Sequence, residues 1–577
     1  MMPDTRQQLT CFLFLSLLSG MVLSTCYTGG ASECSGSPFV PGSSLAGSGY
    51  DVVTLQAKGA FVIDVNAWRH SNGSCMLCQN QLLGGARQRL PLSLVDWRVH
   101  RHCKLSLTSR LYRSTQNLLK TATSMISNSW QGDLQITPKP GVTFGLMVGG
   151  SKSKLTKFGI SRAKFDSYSF TSHQFGCRYY QYRVKATPHL APEFSKALST
   201  LPKASHSGTN YYYRKLVNTY GTHFIKGVTL GGSFKDVTAI QTCKAMSLGY
   251  SAEEVKDCLE VEASVQMGLN VRSSAKYQRC KELTDSLKHS GSFHQAFSDR
   301  ESEVTGGSAR DNVDLFFSAD RTAFTRWVDS LAMHPGIVRH VLEPLHHLLP
   351  PSDPRYDNLR RYISKYIMAN ALTQNCKKTT CPSGSYHDHR EPCSCFCRGD
   401  SRVTRLCCPK ELGIGNLNVK VKEGRNLWGD TFSGTDGYVV VSWGLAKRKT
   451  SVISDNNNPN WNTLLDMGEV KAGIGHELTI KVWDSDLIGD ELLGTCKVTL
   501  RSGTHRKVCY LKYGKVTYDY TFTCSPHLGG STCQDYVPRP NGPTFSSHLG
   551  PANFTVPSPI LPAPAPSGEP LPSVVFP

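Results

Sequence analysis

The sequence predicts a multidomain α+β protein made of a long mixed region, a small disulfide-rich module and an all-β sandwich. Three observations carry this. The chain has 577 residues, more than one core usually organises. Cysteines crowd together from Cys376 through Cys381, Cys393, Cys395, Cys397 and Cys407 to Cys408. Beyond residue 411, short stretches alternate apolar and polar residues between turn clusters, the pattern of half-buried strands. The expected division is 1–25 as a signal, 26–375 as the mixed region, 376–410 as the cysteine-dense module, 411–527 as the sandwich, and 528–577 as a proline-rich tail to which no fold is assigned.

The N-terminal segment carries Arg6 and then the apolar run 11–23, followed by the small residues Ser24 and Thr25. A spanning helix needs about 20 apolar residues, so this run reads as the core of a secretion signal. Cysteine usage agrees with export. Of 21 cysteines, Cys11 lies within the signal, and the remainder form an even set that an oxidising compartment can pair as disulfides. Asn72-Gly73-Ser74 and Asn553-Phe554-Thr555 are glycosylation sequons compatible with that route. The cysteine-dense stretch is too short to bury a useful core, so bridges must hold it; it is similar to an EGF-like module. Zinc held by Cys393, Cys395, Cys407 and Cys408 is the rival reading, disfavoured by export.

A net charge of +20 suits a polyanionic partner. The Lys and Arg residues are scattered and no nucleic-acid motif accompanies them. The expected partners of an exported basic chain are therefore anionic lipid heads or a polyanionic storage matrix, not nucleic acid. No enzyme signature is present. His476-Glu477 begins like a zinc-protease motif, but Ile480 stands where the second histidine is needed.

The most specific motif of the mixed region is Tyr213 followed, six residues on, by Tyr220-Gly221-Thr222-His223-Phe224, with Gly231-Gly232 beyond it. Glycine tolerates unusual backbone angles, so a hinge is expected at that pair. His223 has no nucleophile or second ligand at useful spacing and reads as structural. The motif is similar to the signature of the membrane attack complex/perforin family, and the resemblance extends over nearly the whole chain except the tail. It implies a bent antiparallel sheet with flanking helical clusters, which unfurl into paired β-hairpins that neighbouring subunits join into a large barrel. It also implies a secreted cytolytic protein, stored in a cytolytic granule, that assembles as a homo-oligomeric ring and delivers granule proteases into target cells. Lys215 and Glu343 become candidates for the contact between adjacent subunits.

The hairpin reading is tested in the residues themselves. Val261, Ala263, Val265, Met267, Leu269 and Val271 are apolar or small at every odd position, with Glu262, Ser264, Gln266, Gly268 and Asn270 between them. A barrel strand crosses a bilayer in about 9–11 residues, apolar toward lipid and polar toward the lumen. A half-buried strand of a soluble sheet would alternate in the same way. The charged stretch 272–289 follows. A first cluster is expected within 141–170, where Phe144, Leu146 and Val148 alternate before Gly149-Gly150. Open strand edges cannot face lipid, so insertion of such hairpins requires oligomerisation.

The stretch 411–527 resembles a C2 domain, the calcium-dependent lipid-binding module. Leu417, Val419, Val421, Tyr438, Val440, Leu478, Ile480 and Val482 mark strands, and Asn458-Pro459-Asn460-Trp461 matches a motif of that family. Calcium takes about six to eight oxygen ligands, mostly carboxylates and carbonyls. Asp430, Asp436, Asp484, Asp486 and Asp490 supply the carboxylates, with Glu491 as a further candidate and carbonyls near Gly429, Ser433 and Gly434. The apolar residues Trp428, Phe432, Leu487 and Ile488 beside these carboxylates suit a loop tip that dips into phospholipid. A lipid-binding adhesion or signalling protein that makes no pore is the alternative reading.

Overall fold

The computed structural model describes residues 26–547 except 104–105, 124–129, 137–146, 205–206, 270, 272–273, 286–291, 309–314, 316–321, 376–380, 382–384, 389–390, 400–402, 430, 432, 474, 488 and 540–543. The stretches Tyr168–Val184 and His223–Gln241 are rich in aromatic and β-branched residues, the types that suit a pleated surface. Both form very long strands. With β1 (Ser48–Asp51), β2 (Leu94–Cys103), β3 (Tyr168–Val184), β4 (His223–Gln241), β5 (Arg300–Thr305) and β6 (Gly336–Pro344) named in chain order, the sheet runs β1-β4-β3-β2. Gln56–Phe61 extends it beyond β1, and Thr108–Tyr112 pairs with β3. Every pairing is antiparallel.

The sheet bends where β4 changes partner. β6 pairs with β4 from His223 to Gly231, and β5 takes over from Ser233 to Thr238. A register shift in β3 between Arg178 and Tyr180 lies opposite the same point, and bulges of this kind increase local bending. The glycine pair serves this bend by its small size. Neither Gly231 nor Gly232 has a positive φ, which corrects the expectation of unusual angles. A Cβ on Gly231 would strike the Cys177 carbonyl, and one on Gly232 would strike Leu331 and Trp327.

Helices cover the strands. They are α1 (Lys154–Ala163), α2 (Asn210–Tyr220), α3 (Ala252–Gln266), α4 (Ala275–Asp285) and α5 (Pro354–Asn370). In α1, Ser153 caps the first turn by accepting from Thr156 N. Its Phe158 packs with Phe170, Val237 and Ala239 of the sheet. Here α3 overturns the alternative that 261–271 is a half-buried strand of a soluble sheet, and gives the second cluster as helix in this state. Residues 252–266 are helical, and 267–269 follow as a turn. The local reasons are a capping box between Ser251 and Glu254, the helix formers Ala252, Glu253, Leu259 and Glu260, and the Cys258–Cys280 disulfide to α4.

A second body follows. β7 (Ile414–Arg425), β8 (Gly437–Trp443), β9 (Ala446–Lys449), β10 (Asn460–Lys471), β11 (Leu478–Asp484), β12 (Glu491–Val498), β13 (Gly503–Tyr510) and β14 (Lys515–Cys524) make two four-stranded sheets, ordered β10-β7-β14-β13 and β9-β8-β11-β12. Inward residues such as Leu417, Val419, Val441, Ile480 and Phe522 form its core. Among the described residues nine disulfides are present. Cys381–Cys395, Cys397–Cys407 and Cys243–Cys408 consume thiols that the zinc reading needs.

The tail is ordered further than its composition suggests, which corrects the reading of 528–577. Cys533 is buried and bridged to Cys524. Thr544–Ser547 pairs with Leu372–Asn375. Between them the chain docks on Asp166, just ahead of β3. This buried carboxylate accepts from Tyr536 Oη at 2.6 Å, Arg539 N at 3.1 Å, Gln241 Nε2 at 3.2 Å and Ser167 N at 2.8 Å. Burial, reinforced by this bond, raises the Tyr536 pKa. Replacing Asp166 by Ala leaves half-buried donors without their acceptor, at a cost of about 1–3 kcal/mol. The expected result is a lower melting temperature and faster proteolysis after residue 525, with Asp166→Asn closer to the parent; unchanged digestion would show that the tail is held elsewhere.

Candidate functional site

The signature motif sits at the base of the bent sheet. Helix α2 ends at Gly221, whose φ of 83° and close approach to Tyr50 O exclude a side chain. Gly221 N closes the helix onto Val217 O at 2.8 Å. Thr222 then joins three elements. Its N donates to Tyr50 O at 2.9 Å, its Oγ1 accepts from Val52 N at 3.2 Å, and its carbonyl accepts from Leu345 N at 3.1 Å. His223 lies 2.8 Å by Nδ1 from Thr222 Oγ1 and meets the Trp130 ring edge-on. Tyr213 donates to Pro202 O at 2.7 Å, and Phe224 is buried in β4. The motif thus fastens α2, β1, β4 and the turn after β6. Lys215 is exposed on α2. Glu343 already pairs with Lys226 within the subunit.

The candidate pore segment is packed on the same sheet. His173 of β3 donates by Nε2 to Lys256 O of α3 at 3.0 Å. Val261, Ala263 and Met267 are buried, while Val265, Leu269 and Val271 are half-buried. Glu262 accepts from Phe293 N at 2.7 Å and His294 N at 2.9 Å, and its burial raises its pKa. In the first cluster Val148 is buried, and Met147 forms a backbone bridge with Leu372. Phe144 and Leu146 lie outside the described residues, as do Asp430, Phe432, Ile488, Asn270 and Asn553. Asn72 occupies an exposed turn, where its Oδ1 accepts from Ser74 N at 3.1 Å and Ser74 Oγ at 2.7 Å.

At one end of the sandwich the acidic loops converge. Asp484 ends β11 and is fully buried; its Oδ1 accepts from Asp436 N at 2.6 Å. Asp436 in turn accepts from Asp455 N at 2.7 Å, and Asp455 accepts from Gly434 N at 2.8 Å. Asp455, on the loop before the Asn-Pro-Asn-Trp motif, was missed by sequence reasoning because it stands among asparagines. Gly429 approaches Asp484 so closely that a Cβ would run into the carboxylate. Asp490 accepts from Tyr438 Oη at 2.5 Å. Burial, then this bond, pushes the Tyr438 hydroxyl up to about 12. Asp486 is half-buried and Glu491 exposed at the start of β12. Ser433 is exposed and Gly434 half-buried on the first loop. Trp428 is 48% and Leu487 fully exposed. A buried carboxylate under a glycine cradle, on loops that also carry Asp436, Asp455, Asp486 and Asp490, offers the kind of oxygen donors that calcium takes.

Fold and site together define a membrane-directed protein of the pore-forming class, a bent sheet with helical clusters joined to a lipid-binding sandwich. The MAC/Perforin domain model matches residues 39–376 and the C2 domain model residues 415–513; neither is a catalytic family. Perforin-1 of Homo sapiens is 40% identical over 519 residues, covering 89% of this chain and 93% of the relative. Perforin-1 of Rattus norvegicus is 38% identical, covering 91% and 96%. A solved C2 domain is 36% identical over 19% of this chain and 98% of its own, with a TM-score of 0.18. The chain belongs to the membrane attack complex/perforin family of pore-forming cytolytic proteins.

The bent sheet is sensitive to acid through its buried histidines. Burial lowers His173 and His340 to about 4 and His346 to about 3, and holds His223 well below its usual value, with the neighbouring histidines adding to the effect at His223 and His346. These rings are neutral in the folded chain, whereas unfolded histidine takes a proton near pH 6.5. Their stabilisation is full above that value and is lost as pH falls toward 4. At pH 5 the loss is about 1–2 kcal/mol for each of His173 and His346. The melting temperature should therefore fall between pH 7.4 and pH 5, and fall less in His346→Gln.

Proposed function

We propose that the protein is a calcium-triggered pore former. The C2 loops bind target phospholipid, copies gather into a ring, and the two helical clusters open into β-hairpins that join a common transmembrane barrel. The observation that carries this reading is a mismatch. Residues 261–271 have the alternation and length of a barrel strand, yet α3 and the turn after it hold them against the long sheet.

Calcium, when bound, neutralises the acidic loops and offers coordination to lipid phosphate. Asp430, Asp436, Asp484, Asp486 and Asp490 are the proposed carboxylate ligands, with Glu491 and carbonyls near Gly429, Ser433 and Gly434. Trp428, Phe432, Leu487 and Ile488 enter the interface. In the barrel, Val261, Ala263, Val265, Met267, Leu269 and Val271 face lipid, and Ser264, Gln266 and Asn270 turn to the lumen with Glu262, whose ionisation costs little there. Unpaired strand edges are too costly in lipid, so the ring precedes or accompanies insertion. Lys215 of one subunit meets Glu343 of the next, sharing or displacing its Lys226 partner. The segments 1–25 and 548–577, glycosylation at Asn72 and Asn553, storage in a cytolytic granule with a polyanionic matrix, and passage of granule proteases complete the reading. It contains no enzymatic step and no nucleic-acid partner.

Release of a small dye from protein-free phospholipid vesicles is the direct test, and it should require calcium. Asp484→Asn should reduce calcium-dependent vesicle binding at least tenfold while circular dichroism stays unchanged; parent-like co-sedimentation would refute the ligand assignment. A cysteine pair tying α3 to β3 separates binding from insertion. Oxidised, it should bind vesicles yet release no dye, and reduction should restore release. Leakage from the oxidised form would show that this segment stays outside the barrel.

A further inference from the structure

The sandwich has another loop at its acidic end. Strands β13 and β14 are joined there by 511–514, closed by Leu511 N donating to Gly514 O at 3.1 Å. Gly514, at φ 77°, lies so near the backbone of Arg425 and Asn426 that a Cβ would strike both carbonyls. The hairpin is thereby fixed to the base of the first acidic loop. On its other side Leu511 packs over Gly494 of β12, and Cys509 is bridged to Cys496. The hairpin is therefore anchored to the chain that leads into the first acidic loop and to the strand that follows the third.

Its surface chemistry is distinctive. Tyr510 is 73% and Tyr513 46% exposed. The Tyr513 ring meets Trp428 edge-on at 4.9 Å, and Lys512 Nζ stands 5.2 Å from the Tyr513 centroid. Lone exposed aromatics are ordinary, but here three rings and a cation share one end of the sandwich with the acidic loops. Tyrosine and tryptophan settle at membrane interfaces, apolar body inward and polar edge in water. A basic side chain beside them is drawn to lipid phosphate. No carboxylate lies within 510–515 to repel that phosphate.

We propose that 510–515 is a further membrane-contacting loop, with Tyr510 and Tyr513 seated in the headgroup layer and Lys512 on a lipid phosphate. Continuity with Trp428 commits the occupant to a phospholipid surface rather than to a protein. The inference rests on calcium-dependent membrane binding by the sandwich and adds a contact that needs no calcium ligand.

The test uses the full chain, calcium, and vesicles of phosphatidylcholine with or without phosphatidylserine. All three positions are exposed, so substitutions there should leave the fold intact. Tyr510→Ser with Tyr513→Ser should weaken vesicle binding at least tenfold, while calcium binding without vesicles, measured by calorimetry, stays at the parent value. Lys512→Glu should weaken binding to phosphatidylserine vesicles more than to phosphatidylcholine alone, and inorganic phosphate should not compete. A dye at position 513 should report an apolar environment on vesicles. Parent-like vesicle affinity in the tyrosine variant, or a matching loss of calcium affinity, overturns the proposal. If the parent chain itself binds no vesicles with calcium, the underlying reading fails instead.

Discussion

The pairing of β3 with β4 is the constraint on which the remainder of the molecule depends. It runs without interruption in partner from Tyr168 opposite Gln241 to Arg183 opposite Gly227. The first cluster enters directly into the top of β3. The second leaves directly from the end of β4 and returns through β5, which pairs with β4 again. Each cluster is therefore an insertion at the same end of one ladder. Converting it to a hairpin extends strands that already exist, and their register is set by the existing hydrogen bonds. The bend at Gly231-Gly232 and the fastening of the base by Thr222 leave that end of the ladder as the natural direction of growth.

Several features were legible in the sequence because they rest on side-chain chemistry at short range. The sandwich strands through Leu417, Tyr438 and Leu478 occur as read, because strict alternation between turn clusters has one easy solution in a half-buried sheet. The placing of Asp436, Asp484 and Asp490 on loops at one end of the sandwich followed from the strands that frame those loops. Other features were hidden. The soluble-sheet alternative for 261–271 fails because capping by Ser251 and Glu254, the Cys258–Cys280 bridge and burial against the sheet outweigh a period-two pattern in this state. Gly231 and Gly232 were located correctly but for another cause, since the close approach of Cys177 O, Leu331 and Trp327 is invisible in one dimension. Asp455 and Tyr513 were missed because their importance comes from loops that only the folded sandwich brings together.

The proline-rich end shows the same limit. Composition alone argues against a core, and the stretch beyond 524 builds none of its own. It is ordered by contacts that other parts supply: the Cys524–Cys533 bridge, the Asp166 carboxylate and the edge strand Leu372–Asn375. Asp166 closes the first cluster at its C-terminal side. Met147, on the N-terminal side, is bridged to Leu372. Both boundaries of that cluster therefore touch elements that the chain after the sandwich also touches.

This arrangement bears on how a membrane contact at the sandwich reaches strands in the other body. A rigid linkage would have to resist the opening of the clusters, whereas a free linker could not orient them toward the bilayer. The structure stands between these limits. Cys243–Cys408 joins the segment between β4 and α3 covalently to the cysteine-rich module, so the second cluster cannot part from that module at its root. Among the described residues the strap after β14 meets the first cluster through non-covalent contacts, the hydrogen bonds to Asp166 with His527 beside it and the strand pairing of Thr544–Ser547 with Leu372–Asn375. The covalent tie keeps orientation and the non-covalent strap can be released. In the proposed opening of the clusters, the first is thus the one that meets the chain after the sandwich through non-covalent contacts.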